Sequence, residues 1–491
     1  MSDLSSAKTI QEGAMGINVP DEHQYKSDVA SEVSYYQYRK LTPLNEPTLT
    51  NNGTSISEFE IVPSQVFNLS KSFLEADIVV PEPGAGATVL HTGFCPYIDQ
   101  IEYLDASGRQ LVFLQNLPYY SKITWPACTS QADFLSNPIP NPATTSANVA
   151  GMKTTLLNRS NVIPGLANEA IGGVVSTDVG VNLANGGLGL EAYTGIQHGI
   201  IGATRNGAGA GNLAIRLQMP LNLLYGTLFA CNKDLYFGQT TTIRITWNQS
   251  VKFGYSCVRA DGTALANIAT VPTIQTNRIR LAIQANPISA ESIKKKVISE
   301  GLHLNVPYTW TFRYVPTGAG ANVPQSFIRK LNKNHGQRLL RVWTAQYNFN
   351  ADSGAVAGGL YTNYCQNQNF ANACFSEVWA QLDGVNLQES NLLNANGEVY
   401  EFMQPKLEGA VGGSNNQYLS SAYLLNDFTP WKTIDFSKAD TEVGGLSLSE
   451  EREFAINFVS NNIGGGNTNL FYMFAVCQRL LSITREGVAF A

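Results

Sequence analysis

Charge is what this sequence has least of. Asp, Glu, Lys and Arg make up 14% of its 491 residues, against roughly 25% in ordinary soluble chains. The balance is mildly acidic, 38 acids to 32 bases, a net charge of -6. That excludes a generally basic nucleic-acid binder and leaves room only for a local basic patch. Cysteine is sparse and scattered: Cys95, Cys128, Cys231, Cys257, Cys365, Cys374 and Cys477, an odd number with no C-x-x-C pair. A disulfide framework is not expected, and a reducing compartment is the better reading. The five histidines, at 23, 91, 198, 303 and 335, lack metal-ligand spacing with cysteines or carboxylates. No stretch approaches the ~20 apolar residues of a membrane helix. Residues 1–20 lack the apolar core of a signal peptide. The sequons at Asn52, Asn68, Asn158 and Asn248 are therefore read as chance in an Asn-rich chain.

Catalytic signatures are missing too. There is no G-x-S-x-G elbow and no H-E-x-x-H helix. Gly207, Gly209 and Gly211 alternate with alanine but lack the Lys-Ser/Thr of a phosphate loop, so a flexible loop is expected. Neighbouring acids such as Glu58/Glu60 and Glu450/Glu451 suit a strand surface, whereas a glycosidase needs two converging carboxylates. No catalytic residue, metal ligand or cofactor is assigned.

What is present is strand periodicity. Leu302, Leu304, Val306, Tyr308, Trp310, Phe312 and Tyr314 occupy alternate positions. A strand places that set on one face, while a helix would scatter it. Phe59/Ile61, Ile243/Ile245/Trp247, Ile279/Leu281/Ile283 and Phe454/Ile456/Phe458 repeat the pattern. Asp105–Gly108, Asp261-Gly262 and Asp383-Gly384 are turn signals between such runs. The expected fold class is all-β: two consecutive sandwiches with long inserted loops and a few short helices. Chain length supports two domains.

The expected division is an acidic N-terminal arm (1–45), a first sandwich (46–288), a linker helix (289–299) and a second sandwich (300–491). The helix Ser289–Ser299 has Ser289 as N-cap and Gly301 as stop. A second helix is expected over Gln325–Asn334, from Phe327 and Leu331 four apart and Gly336 beyond. Segments 126–212, 351–373 and 409–445, rich in Gly, Asn and Ala, are expected as elaborated loops. The halves echo one another: Val80–Ala87 resembles Val315–Ala321, Ile101–Gly108 resembles Val378–Gly384, and Thr276-Asn277 resembles Thr468-Asn469. Their shared order points to a duplicated unit.

Phe67–Val80, followed by Phe94–Leu104, resembles the first strands of double jelly-roll major capsid proteins of small double-stranded DNA viruses, the polinton-like virus and virophage type. Leu221–Gly226 and Asp234–Gly238, running into Ile243–Trp247, look like the late part of their first jelly roll. The resemblance covers about a quarter of the chain specifically. It implies homotrimers of pseudo-hexagonal outline, lateral trimer-trimer contacts in an icosahedral shell around DNA, minor capsid and penton proteins as partners, and location in the virion. It makes 126–212 and 351–373 candidate towers and puts the arm at the base. It implies no catalytic residue.

The basic segment Arg329, Lys330, Lys333, His335, Arg338 and Arg341 contains no acid. It fits packaged DNA on an inner face, acidic residues of a neighbouring subunit, or plain solvation. A lectin-like receptor-binding sandwich and a carbohydrate-active enzyme are the rival functions. Whether a membrane lies beneath is open.

Overall fold

A computed structural model describes residues 35–45, 55–80, 87–91, 98–117, 120–121, 124, 200–201, 213–247, 255–259, 273–314, 323–348, 375–387, 392–393, 432–436, 444–460, 469–485 and 487–490. Residues 1–34, 202–212, 351–373 and 409–431 thus lie outside the described residues, and with them the glycine-alanine run and most of the expected loops.

In the first half the strands are β1 (Tyr36–Leu41), β2 (Ser55–Ile61), β3 (Phe67–Val80), β4 (Ala87–His91), β5 (Ile98–Leu104), β6 (Gln110–Gln115), β7 (Ile200–Ile201), β8 (Leu213–Pro220), β9 (Asp234–Leu235), β10 (Thr241–Trp247), β11 (Tyr255–Arg259) and β12 (Thr273–Gln284). Helix α1 (Pro287–Ser299) follows. The second half has β13 (Leu302–Tyr314), β14 (Val323–Leu331), β15 (Arg338–Asn348), β16 (Phe375–Leu382), β17 (Val385–Asn386), β18 (Leu392–Leu393), β19 (Lys432–Asp435), β20 (Leu446–Ser447), β21 (Arg452–Ser460), β22 (Asn469–Thr484) and β23 (Gly487–Phe490).

The sheet orders repeat. The first half has β1-β12-β3-β8 facing β2-β10-β5-β6, with β9 beside β3. The second has β13-β22-β15-β19 and β14-β21-β16-β17, with β20 beside β15. Taken in chain order, the strands of the two halves occupy the same places. Each is an eight-stranded antiparallel jelly roll, and the chain is a double one. β4, β7 and β11 form a small additional sheet.

The repeat sorts the internal echoes. Asp105 and Asp383 both end equivalent strands, β5 and β16, at equivalent turns. Thr276-Asn277 and Asn469 lie on the equivalent strands β12 and β22. The Val80/Val315 echo is misplaced: Val80 ends β3, whose counterpart is β15, while Val315 follows β13. Glycine-alanine links after long strands recur without marking equivalent positions.

Two helix expectations change. The N-cap of α1 is Asn286, not Ser289: its Oδ1 accepts from the backbone N–H of Ile288 (3.0 Å) and Ser289 (3.4 Å), and Pro287 opens the first turn. Gly301 ends it with φ +78. Residues 325–331 are strand, not helix, paired one to one with β21. Phe327 and Leu331 are buried at a spacing of four, which is also two strand periods. Tyr36–Leu41, reckoned with the arm, is the edge strand beside β12.

The rolls are fused by packing. In β22, Phe471, Met473, Ala475 and Cys477 belong to the second roll's own core, with Phe327, Val342, Ile456 and Phe458. Their alternates Tyr472, Phe474 and Val476 join the first roll's core, with Trp343 of β15. The sheet is therefore buried on both faces. Tyr120 meets Phe474 edge-on at 5.0 Å, and its Oη donates to the Tyr225 carbonyl at 2.8 Å. Thr309 of β13 donates to the Gly226 carbonyl at 2.8 Å. Within the first roll, buried Glu75 of β3 lies 2.6 Å from Nε of both Arg278 and Arg280 on β12. Burial alone would raise its carboxyl, but those two guanidinium groups win and hold it below the usual range.

Gly226 sits where the rolls meet, with φ +67; a Cβ there would come within 2.7 Å of Thr309 Oγ1 and 2.8 Å of Tyr120 Oη. Gly226→Ala is expected to cost about 1–3 kcal/mol from overpacking alone. Denaturant titration should show both rolls unfolding in a single transition at a lower midpoint. Two separated transitions in the parent protein would refute the fused core.

Candidate functional site

The link lengths distinguish the two ends of the rolls. β2 and β5 flank β10 and run the same way, so the turns that follow them, 62–66 and 105–109, share an end. The second roll repeats this at 332–337 and 383–384. These four turns are short, while the other links at this end, 221–240 and 436–451, run to 20 and 16 residues. The opposite strand ends give rise to 81–97, 116–212, 349–374 and 387–431, whose ends the strands bring together. The strands that flank the expected loops at 126–212 and 351–373 end on this second, elaborated side; those segments themselves, apart from β7, lie outside the described residues. The 409–445 expectation spans β19, so it is two links.

The basic segment does not form one patch, because strand alternation and burial divide it. Arg329 is half-buried: its guanidinium donates to the Arg313 carbonyl (3.0 Å) and lies 5.0 Å from the Phe327 ring and 5.6 Å from that of Phe312. Lys330 is exposed and ion-paired with Glu451 at 3.0 Å; such a pair contributes little. Lys333 is exposed in the 332–337 turn, and Arg338 is exposed where β15 begins. Arg341 is buried, with its guanidinium 5.5 Å from the Trp343 ring. His335 lies half-buried beside Trp310 (5.1 Å) and Phe312 (6.2 Å).

The structure gathers other cations that composition did not single out. Lys333 shares a cleft with Arg479 of β22, and Arg479 in turn shares a second cleft with Arg109 of the first roll. The signal for Arg479 was present as the first charge after the apolar run Phe471–Cys477. Lys71, Lys233 and Lys296 surround a third cleft beside α1, about 420 Å³, with Asp234 in its wall. That carboxylate is taken: it accepts from Tyr36 Oη (2.8 Å), Asn68 Nδ2 (2.9 Å) and Gln284 Nε2 (2.9 Å). Asn68, the one described sequon asparagine, is 2% exposed. Among the described residues no group of three or more His, Cys, Asp or Glu is arranged to hold a metal, and Cys231 and Cys477 are free thiols. Burial pushes the Cys477 thiol up to about 12.

No protein-family model and no curated protein sequence matches the chain. Solved structures do. PBCV-1 VP54, a crystal structure fitted into a cryo-EM reconstruction of the virophage Sputnik, is 11% identical with a TM-score of 0.51, over 95% of this chain and 99% of that one. The cryo-EM structure of the Sputnik virophage is 9% identical with a TM-score of 0.52, over 97% of this chain and 91% of that one. A chain of the PBCV-1 virus capsid is 10% identical with a TM-score of 0.50. At such identities the likeness is one of fold: the double jelly roll is shared along nearly the whole chain.

Burial holds the His335 imidazole below its ordinary value, and nearby Arg479 pushes the same way. The unfolded chain then binds the proton first as pH falls below about 6.5. This histidine's contribution to stability is present above that pH and is lost on acidification, down to its folded value. His335→Gln is expected to flatten the stability profile between pH 6.5 and 5, measured by denaturant midpoints. An unchanged slope would contradict the assignment.

Proposed function

We propose that this chain is a major capsid protein: a structural subunit that forms homotrimers of pseudo-hexagonal outline, which then tile an icosahedral shell around double-stranded DNA. The observation that carries the reading is the repeated sheet order, two jelly rolls joined through a sheet buried on both faces. Three such pairs around an axis present six similar walls, the arrangement a near-hexagonal tile requires. The likeness to chains of the PBCV-1 capsid and the Sputnik virophage supports it.

In this reading the expected division shifts at two borders: the arm is residues 1–35, the first roll runs from β1 at Tyr36 to Asn286, the connecting helix is Pro287–Ser299, and the second roll is 300–491. The elaborated end faces outward and the short-linked end inward. A surface with few charges limits the desolvation cost of wide lateral contacts. The subunit works by assembly, without catalysis. Minor capsid and penton proteins would meet the same walls. Lys333 and Arg338, exposed at the short-linked end, are the members of the basic segment placed to meet DNA or a neighbour's acids, while Arg329, Lys330 and Arg341 are engaged within the chain. The virion is the site of action, and free cysteines suit assembly inside a reducing host compartment.

The test is mass in solution followed by imaging. Light scattering should give three chains per particle, and electron microscopy a near-hexagonal outline. A protein that stays monomeric at every salt concentration and pH would overturn the proposal.

A further inference from the structure

Along one edge of β22 the partners change. β15 ends its pairing at Arg338, opposite Gln478, and β23 begins at Phe490, opposite Leu481. Arg479 and Leu480 fall between the two. The Gly336–Gln337 turn fills part of this break, with Gln337 N–H donating to the Gln478 carbonyl at 2.7 Å. Two clefts of about 480 and 550 Å³ open here, and both are walled by Arg479 and Phe490.

Arg479 is half-buried. Its guanidinium carbon lies 3.9 Å from the centre of the Phe490 ring and 4.9 Å from that of Tyr308. Arg244, Arg278, Arg280 and Arg452 are part-buried too, and each holds a carboxylate. Arg479 makes no hydrogen bond and no ion pair with any described residue. Among the described residues neither cleft is lined by Asp or Glu; Lys333 lines one and Arg109 the other. Neighbouring acids are engaged: Glu102 with Arg244 (3.4 Å) and Gln110 (2.8 Å), Glu451 with Lys330 (3.0 Å). Aromatic faces offset part of the desolvation of a half-buried cation, and its guanidinium donors stay open to the clefts, free to take an acceptor that enters them.

We propose that the twin clefts flanking Arg479 form a carboxylate-binding site, occupied by an acidic side chain of residues 1–34 from the same chain or a second copy. A carboxylate fits better than a phosphate. One planar fork between two rings matches two coplanar oxygens, and a dianion would need more donors than the walls supply. Charge selects the occupant: residues 1–34 carry Asp3, Glu12, Asp21, Glu22, Asp28 and Glu32 against Lys8 and Lys26. Position agrees. Tyr36 opens β1 and shares a cleft with Leu302, which pairs with Ile483. Arg479 is four residues further along that strand, on the order of 13 Å away. Lys333 and Arg109 steer the acid inward. The site does not depend on the capsid reading and is tested on full-length protein whatever its oligomeric state.

The experiment measures modification of Arg479 by phenylglyoxal in the folded full-length chain, by peptide mass spectrometry, at low salt. Replacing the six acids of residues 1–34 by Asn and Gln should raise the Arg479 rate at least fivefold, and added glutarate should restore protection. A second measurement avoids the reagent. Glutarate should raise the thermal midpoint of the six-fold variant relative to chloride at equal ionic strength, and adding Arg479→Met, which keeps an apolar stem between the rings, should abolish that rise. Glutarate protection with no effect of the six replacements would overturn the occupant. Equal rates under all conditions, or an undiminished glutarate rise with Arg479→Met, would overturn the site.

Discussion

The structure depends on one sheet being dry on both sides. Sheet β13-β22-β15 is the inner wall of the second roll and also the surface on which the first roll rests. The consequence can be read in β22. Seven successive residues, Phe471 to Cys477, are buried, with none of the polar alternation of a half-exposed strand. A single-faced sheet would leave Tyr472, Phe474 and Val476 in water. Here they bury apolar area at about 25 cal/mol per Å² and fix the angle between the rolls at the same time. Trp343, Tyr120 and the Thr309–Gly226 hydrogen bond are consequences of that contact. Thr309 and Tyr120, polar groups brought into it, are satisfied by the Gly226 and Tyr225 carbonyls.

Much of this fold was legible, because jelly-roll strands carry period-2 patterns. The runs at Phe59, Ile243, Ile279, Phe454 and Leu302 are all strands, and the turn at Asp105 joins a hairpin. Two things were not legible. Residues 325–334 hold Phe327 and Leu331 at a spacing that serves helix and strand alike, and pairing with β21 decided between them. The even positions of β13 share one face, as expected, yet they serve two cores: Leu302, Leu304 and Val306 join the first, while Trp310, Phe312 and Tyr314 join the second. A pattern shows which face is apolar but not what lies opposite it.

The candidate site was less legible still. A run of bases without acids looked like a patch, but strand geometry turns successive residues to opposite faces and one of them, Arg341, is buried. The cations that share clefts come from distant segments, Arg109, Lys333 and Arg479, brought together by the junction of rolls. Sequence proximity predicts a shared surface on a helix far better than across a sheet.

The contrast between short and long links has a further meaning. The doubly buried sheet rests on strand residues, with Leu117 and Tyr120 at the root of the 116–212 link packed into the same core. The entropy of closing a flexible link grows only with the logarithm of its length, about 0.6 kcal/mol for each doubling. The elaborated end can therefore gain or lose tens of residues at little thermodynamic cost, while the short-linked end cannot lengthen a turn such as 105–109 without disturbing Asp105 and its hydrogen bonds to Ser107 and Arg109. Such a chain is built to diversify at one pole. Peptides displayed or exchanged there should leave the walls, and whatever meets them, unaltered.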